Sequence, residues 1–138
     1  MPKYKTTARW IEKFRSEIDD SRGHKIVCDL SNAQGGTNMG PSAFELALMA
    51  LAGCAVTIFA DVCNESEIEI TKLQTVVEAE KPSNSPIPTA VTVKTVVSAN
   101  ARKELLRAAW RRTEANCPVM SIFKEPISVK VEFEVVPK

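Results

Sequence analysis

The sequence predicts an α+β protein that folds as a single domain over residues 1–138. Two segments have the apolar pattern of helices, and six others alternate in the manner of strands, in the order β-β-β-α-β-β-α-β. A chain of this length can bury roughly two thirds of its unfolded surface in one core, so no second domain is required.

The N-terminal part is predicted to be a three-stranded meander. The predicted strands are residues 3–11, 14–18 and 24–30. A run of turn-forming residues at 19–23 separates the second strand from the third, in which Ile26, Cys28 and Leu30 share one face. A polar loop containing Gly35 and Gly36 follows.

A long central helix is predicted to start at Ser42 or Ala43. Ser42 and Glu45 have the spacing of a capping box, and Pro41 resists inclusion in the helix. From residue 46 to residue 60 only Gly53 and Thr57 are not plainly apolar, a composition typical of a buried helix.

The apolar run is shorter than the ~20 residues that span a membrane. It is bounded by Glu45 and Asp61, which favours the core helix of a soluble protein. Small residues recur along it at steps of three and four, and this face is a candidate subunit contact. They are Ala43, Ala47, Ala50 and Gly53.

The C-terminal part is predicted to contain a hairpin, a helix and a closing strand. The hairpin strands are residues 68–80 and 89–99, the helix is 101–114, a short helical turn is 119–124, and the last strand is 127–136. The helix must stop at Cys117 because Pro118 disfavours helical backbone before it. Lys103, Arg107 and Arg111 form a basic, solvated stripe on this helix.

Charge and N-terminal composition limit the partners. The net charge is +1, with 18 basic and 17 acidic side chains, so no global field favours nucleic acid or a membrane surface. The N-terminus has no apolar signal core, from which we expect a cytoplasmic protein.

The four cysteines are the candidate chemical groups. They follow no CxxC or Cys/His pattern, and His24 is the one histidine, so we expect no metal site and no cofactor. Cys54 is either a reactive thiol or a small apolar core residue. Cys117 is its natural partner, whereas Cys63 lies about half a turn from Cys54 around the helix and Cys28 faces the core.

Two stretches resemble the signatures of the OsmC/Ohr family. They read Gly40-Pro41-Ser42-Ala43-Phe44-Glu45-Leu46, continuing to Ala52-Gly53-Cys54, and Asn116-Cys117-Pro118-Val119. The predicted order of elements is similar to that family's fold over nearly the whole chain. The resemblance implies an OsmC-like fold and an intertwined homodimer.

The same resemblance implies a thiol-dependent peroxidase that reduces organic hydroperoxides or hydrogen peroxide in oxidative or osmotic stress. Cys54 would be the peroxidatic thiol and Cys117 the resolving thiol, and a thiol or dithiol would reduce the resulting disulfide. Glu45 matches the family's helix glutamate, although its capping role explains it equally well. Arg15, with Lys13 as the alternative, would supply the family's cation.

The helix geometry restricts the role of Glu45. Nine residues separate it from Cys54, which places the two on opposite sides of a helix and ~13 Å apart along it. A catalytic Glu45 would therefore act on the thiol of a second subunit.

Two other functions are considered. A non-enzymatic binding module would hold a small apolar ligand in a pocket at the dimer interface, with the cysteines merely lining it. Nucleic-acid binding would use the basic residues of the second helix, but the charge balance and the lack of interleaved aromatic residues disfavour it. These residues are Lys103, Arg107, Arg111 and Arg112.

Overall fold

The computed structural model describes residues 1–137, which form two compact units. The first unit is Met1–Ala50, and the second is the described chain from Leu51 onward. Each unit contains one antiparallel sheet, and the mixture of sheets and helices confirms the predicted α+β class.

The sheet of the first unit is the predicted meander. Its strands are β1 (Thr7–Glu12), β2 (Arg15–Asp19) and β3 (Lys25–Cys28), paired in the order β1-β2-β3. A register shift between Trp10 and Glu12 interrupts the β1–β2 ladder beside the turn. The first strand begins four residues later than predicted.

The loop between β3 and the next helix passes very close to the sheet. A Cβ atom added to Gly40 would lie 2.0 Å from the Val27 carbonyl oxygen, and one added to Gly36 would lie 2.1 Å from that of Leu30. Only glycine permits so close an approach between two backbone segments. These two glycines therefore fix the path of the loop.

The central helix, α1 (Ala43–Glu65), begins with the predicted capping box. The Ser42 N–H donates to Glu45 Oε1 at 2.9 Å, and the Glu45 N–H donates to Ser42 Oγ at 3.2 Å. Two of the N–H groups at the helix start that lack a partner within the helix are thus bound by side chains.

The surface of α1 is buried on one stripe only, rather than all round as predicted. The buried residues recur at steps of three and four and are Leu51, Ala55, Phe59, Val62 and Cys63. Met49 is 56% exposed, and Ala50, Gly53 and Thr57 are also exposed. The reason is physical: one chain has too few elements to surround a helix of 23 residues.

Among the described residues, α1 is the one helix long and apolar enough to cross a membrane, with a mean hydropathy of 2.1. The core helix of a soluble protein can have the same length and composition.

The second unit contains the predicted hairpin and two helices. Its elements after α1 are β4 (Ile70–Glu80), β5 (Ala90–Ala99), α2 (Lys103–Asn116) and α3 (Pro118–Lys124). One face of the hairpin is half-buried, with Val77 paired to Val93 and Leu73 to Val97. This face packs on the buried stripe of α1 and on the apolar side of α2.

The predicted closing strand over residues 127–136 is absent from the described chain. Its alternation of apolar and polar residues is real, but every apolar side chain on its odd positions is at least 66% exposed. These residues are Ile127, Val129, Val131, Phe133 and Val135. A strand needs a neighbour to accept and donate its backbone hydrogen bonds, and the described chain provides none here.

Alanine substitutions at Gly40 and Gly53 should change the free energy of unfolding in opposite directions. Gly40→Ala forces a Cβ against the Val27 carbonyl, and we expect it to lower the free energy of unfolding by about 1–3 kcal/mol. Gly53→Ala meets no atom within 4 Å in this chain and removes a helix-interior glycine. It should raise the same quantity by about 0.5–1 kcal/mol in urea denaturation. Equal stability of the two variants would contradict the proposed close approach.

Candidate functional site

The structure brings Cys54 and Cys117 together within the second unit. Cys54 lies on α1, one turn after the buried Leu51. Cys117 is the single residue between α2 and α3, where its extended backbone and Pro118 end one helix and start the next. The predicted break at Cys117 is therefore confirmed.

The two thiols share an apolar environment, the thiol cluster. Its buried members are Leu51, Cys117 and Met120, and Cys54 packs against them together with hairpin valines and Trp110. Cys117 is fully buried. Cys54 is half-buried and is the more accessible of the two. Neither is in a disulfide.

Burial and the neighbouring thiol change the proton affinity of Cys117. Burial raises the pKa of the Cys117 thiol above its usual range, and a hydrogen bond with Cys54 raises this pKa further. The backbone N–H groups of Met120 and Val119 oppose this effect only in part. Cys117 is therefore a protonated thiol at neutral pH, which can donate a hydrogen bond to the Cys54 sulfur.

A cavity of about 360 Å³ adjoins the thiol cluster. Leu51 and Met120 belong to both, and Phe123 adds an aromatic wall. Glu114 and Lys124 form an ion pair of 3.6 Å and also line the cavity. The cavity thus has an apolar wall and a charged wall, and it could bind an apolar molecule that carries one polar group.

The other cysteines lie elsewhere, as predicted. Cys63 is fully buried in a separate core cluster with Phe59, Val62, Ile68 and Ala109. Burial raises the pKa of this thiol, which lowers its reactivity. Cys28 is buried at the end of β3 in the first unit.

Arg15 belongs to the first unit, where it is engaged by polar neighbours. Its Nη2 atom donates to Thr37 Oγ1 at 2.8 Å and lies 3.5 Å from Glu12 Oε1. Its Nε atom is 3.9 Å from Asp29 Oδ2 and, among the described residues, has no hydrogen-bond partner. The charge of Arg15 is thus balanced locally, while Lys13 lies in the left-handed turn between β1 and β2.

Asp29, which the sequence analysis did not single out, organises the surroundings of Arg15. It is only 2% exposed, and its Oδ2 atom accepts hydrogen bonds from the Thr37 hydroxyl at 2.6 Å and the Met39 N–H at 3.1 Å. The Leu30 N–H donates to Oδ1 at 2.7 Å. These bonds, that of the Thr37 hydroxyl first, lower the pKa of Asp29 from 3.8 to about 2. The sequence offered one indication that Asp29 has a structural role, namely that this aspartate directly follows a strand.

Glu45 is also engaged in the first unit. Its carboxylate completes the capping box, and hydrogen bonds from Ser42 lower its pKa. The structural explanation of Glu45 is therefore confirmed, and its catalytic role stays a prediction.

No group of three or more His, Cys, Asp or Glu side chains in residues 1–137 could hold a metal ion.

Taken together, the geometry defines a paired-cysteine site in an α+β protein, and comparisons identify the family. The family model described as OsmC-like protein matches residues 35–132, which include Glu45, Cys54 and Cys117. The chain belongs to the OsmC-like family. A search of curated proteins found no match.

Solved structures show the same fold at low sequence identity. An OsmC-like protein from Mycoplasma pneumoniae is 16% identical with a TM-score of 0.79, covering 91% of this chain and 89% of that one. The organic hydroperoxide resistance protein OhrB of Bacillus subtilis is 21% identical with a TM-score of 0.59, covering 96% and 98%. An organic hydroperoxide resistance protein from Legionella pneumophila is 13% identical with a TM-score of 0.63, covering 94% and 95%.

The buried Asp29 leads to a pH prediction. Because its pKa is lowered in the folded state, its ionisation stabilises the fold above about pH 4, and this contribution is lost as the pH falls toward 2. We expect Asp29→Asn to make the free energy of unfolding lower at pH 7 and less dependent on pH between 4 and 2. Urea denaturation across that range measures both effects. An unchanged slope would show that Asp29 does not titrate with folding.

Proposed function

We propose that this protein is a thiol-dependent peroxidase in which Cys54 reacts with an organic hydroperoxide and Cys117 closes a disulfide. The observation that carries the proposal is the pairing of a half-buried thiol with a fully buried one in the thiol cluster. Two structural neighbours are organic hydroperoxide resistance proteins, which supports the same substrate class.

The proposed cycle uses each thiol once. The Cys54 thiolate attacks the terminal oxygen of the hydroperoxide, the O–O bond breaks, and the alcohol leaves after taking up a proton. The sulfur of Cys117 then attacks the Cys54 sulfenic acid, forming the S–S bond and releasing water with the proton of the Cys117 thiol. An external dithiol, or two molecules of a thiol, then supplies two electrons that reduce the Cys54–Cys117 disulfide to two thiols. A reducing cytoplasm contains such compounds.

The raised pKa of Cys117 and the greater accessibility of Cys54 support these roles. The nucleophile must be a thiolate, and the Cys117 thiol can stabilise that thiolate by donating a hydrogen bond. Cys117, with its raised pKa, is a poor nucleophile toward peroxide but is in place to attack an oxidised neighbour. Cys54 is also the more accessible sulfur.

The cavity beside the thiol cluster supports an apolar substrate. Its side chains from α2, β5 and α3 would hold the organic part of a hydroperoxide. Hydrogen peroxide would gain nothing from these contacts, and we therefore propose a preference for organic hydroperoxides.

We further propose a homodimer with a shared site. The exposed apolar side chains of residues 127–135 and the exposed side of α1 support a second copy as the partner that covers them. In that dimer Glu45, with Arg15, would act beside the Cys54 of the partner subunit.

Replacement of each thiol tests the cycle. With cumene hydroperoxide, Cys54→Ser should lower the peroxidase rate by at least about two orders of magnitude, because the nucleophile is lost. Cys117→Ser should give one turnover and leave a Cys54 sulfenic acid that dimedone traps. Cys63→Ser is the matched control, because Cys63 is a buried thiol outside the pair. Stopped-flow assays and mass spectrometry of the trapped thiols measure these effects.

Two results would contradict the peroxidase. One is a rate that Cys54→Ser leaves unchanged, and the other is four unmodified thiols after exposure to hydroperoxide. Unreactive thiols together with a co-purified apolar ligand would instead favour the binding module, for which the cavity of about 360 Å³ offers space.

Subunit mixing tests the shared site. Glu45→Gln keeps a residue type that can close the capping box while removing the charge. Glu45→Gln and Cys54→Ser homodimers should each be inactive. When the two chains are coexpressed in equal amounts, heterodimers should contain one intact site, giving about a quarter of wild-type activity. Activity in the Glu45→Gln homodimer, or none in the mixture, would refute a site shared through Glu45.

A further inference from the structure

A second cavity in the second unit has a different character from the one beside the thiols. It has a volume of about 480 Å³ and lies between α2 and the inner face of β5. Known ligand sites span about 300–1,000 Å³, so the space suffices for a small organic molecule.

The floor of this cavity is apolar and aromatic. Phe59 and Trp110 pack with ring centroids 5.8 Å apart and ring planes inclined by 57°. Val97 and Leu106 extend this surface on either side. The residues are half-buried or fully buried, so the floor is held in place by the core cluster beneath it.

The cavity is lined by three cationic residues, Arg107 and Arg111 of α2 and Lys94 of β5, and by no carboxylate. Arg107 and Arg111 line the cavity from successive turns of α2, and neither forms an ion pair with any residue from 1 to 137. Like charges at this spacing repel each other. Both arginines are exposed, as predicted for the basic stripe of α2, and they also lie at the mouth of the cavity.

Two neighbouring charged residues of α2, Arg112 and Glu114, form ion pairs outside this cavity. Arg112, the next residue along α2, contacts Glu65 at 3.2 Å and does not line the cavity. Glu114, an acidic residue within reach of Arg111 along the helix, contacts Lys124 at 3.6 Å. On the α2 side of the cavity, the positive charge thus comes from Arg107 and Arg111, and Lys94 on β5 adds a third cation without an ion pair among residues 1–137.

We propose that this cavity binds an alkyl carboxylate, with the carboxylate held by Arg107 and Arg111 and the alkyl chain lying on Phe59, Trp110 and Leu106. Arginine suits this ligand because its guanidinium can donate two parallel hydrogen bonds to one carboxylate. The anion would also relieve the repulsion between the two arginines. Binding requires neither thiol, so this site is independent of the peroxidase cycle.

The experiment uses the full-length protein and decanoate at low ionic strength. Calorimetry on the wild-type chain should show saturable binding that weakens as salt is added, because the head-group contacts are ionic. Decylamine, with the same chain and the opposite charge, should not compete. Decyl phosphate distinguishes a carboxylate site from a general anion site: the proposal requires it to bind no more tightly than decanoate.

Variants of the rim identify the site. Arg107→Gln combined with Arg111→Gln should raise the Kd for decanoate by at least about tenfold, since charge-assisted hydrogen bonds are lost. Arg112→Gln is the matched control, as it removes an arginine of the same helix outside the cavity, and it should leave the Kd within about twofold. Cys54→Ser should bind as the wild type does.

A fluorescence measurement tests whether the alkyl chain lies against Trp110, which lines both this cavity and the one beside the thiol cluster. The same measurement on the Arg107→Gln, Arg111→Gln variant, in which quenching should be lost, therefore assigns the cavity. The protein has two tryptophans, Trp10 and Trp110, so Trp10→Phe leaves Trp110 as the only reporter. Bromodecanoate should quench Trp110, and decanoate should reverse the quenching.

Four outcomes would overturn the proposal. They are an equal Kd in the rim and control variants, competition by decylamine, tighter binding of decyl phosphate than of decanoate, and a wild-type protein that binds no decanoate at all because a second copy covers the cavity.

Discussion

The removal of α1 from water is the constraint on which the structure depends. This helix is apolar over most of its surface, yet the chain buries only the stripe from Leu51 to Cys63. That stripe supplies both core clusters of the second unit, and the hairpin and α2 pack against it. Burying each of its three large side chains, Leu51, Phe59 and Val62, contributes about 1.5–3 kcal/mol to folding.

The paired thiols are a consequence of the same packing. Cys54 lies at the edge of the buried stripe, and the Pro118 break holds Cys117 against Leu51 and Met120. Burial keeps Cys117 protonated, while Cys54 remains partly accessible. The two thiols thus differ in accessibility because they lie at different depths in the core.

Charged groups of the first unit have local structural partners. Arg15 contacts Thr37 and lies beside Asp29, and Glu45 closes the start of α1. A role for either in catalysis must therefore be compatible with these contacts. By contrast, Arg107 and Arg111 have no partner of opposite charge in residues 1–137. Their charges are therefore available to a bound anion.

The sequence by itself determined the local structure: the meander, the hairpin, the capping box at Ser42 and the helix end before Pro118. These features depend on residues close together in the chain, so short patterns predict them. Tertiary structure alone decided the features that join distant residues. It brought Asp29 to Thr37, placed Arg107 and Arg111 at a cavity, and left the alternating residues 127–136 without a strand partner. Periodicity reports which residues share a face, but only packing decides what covers that face.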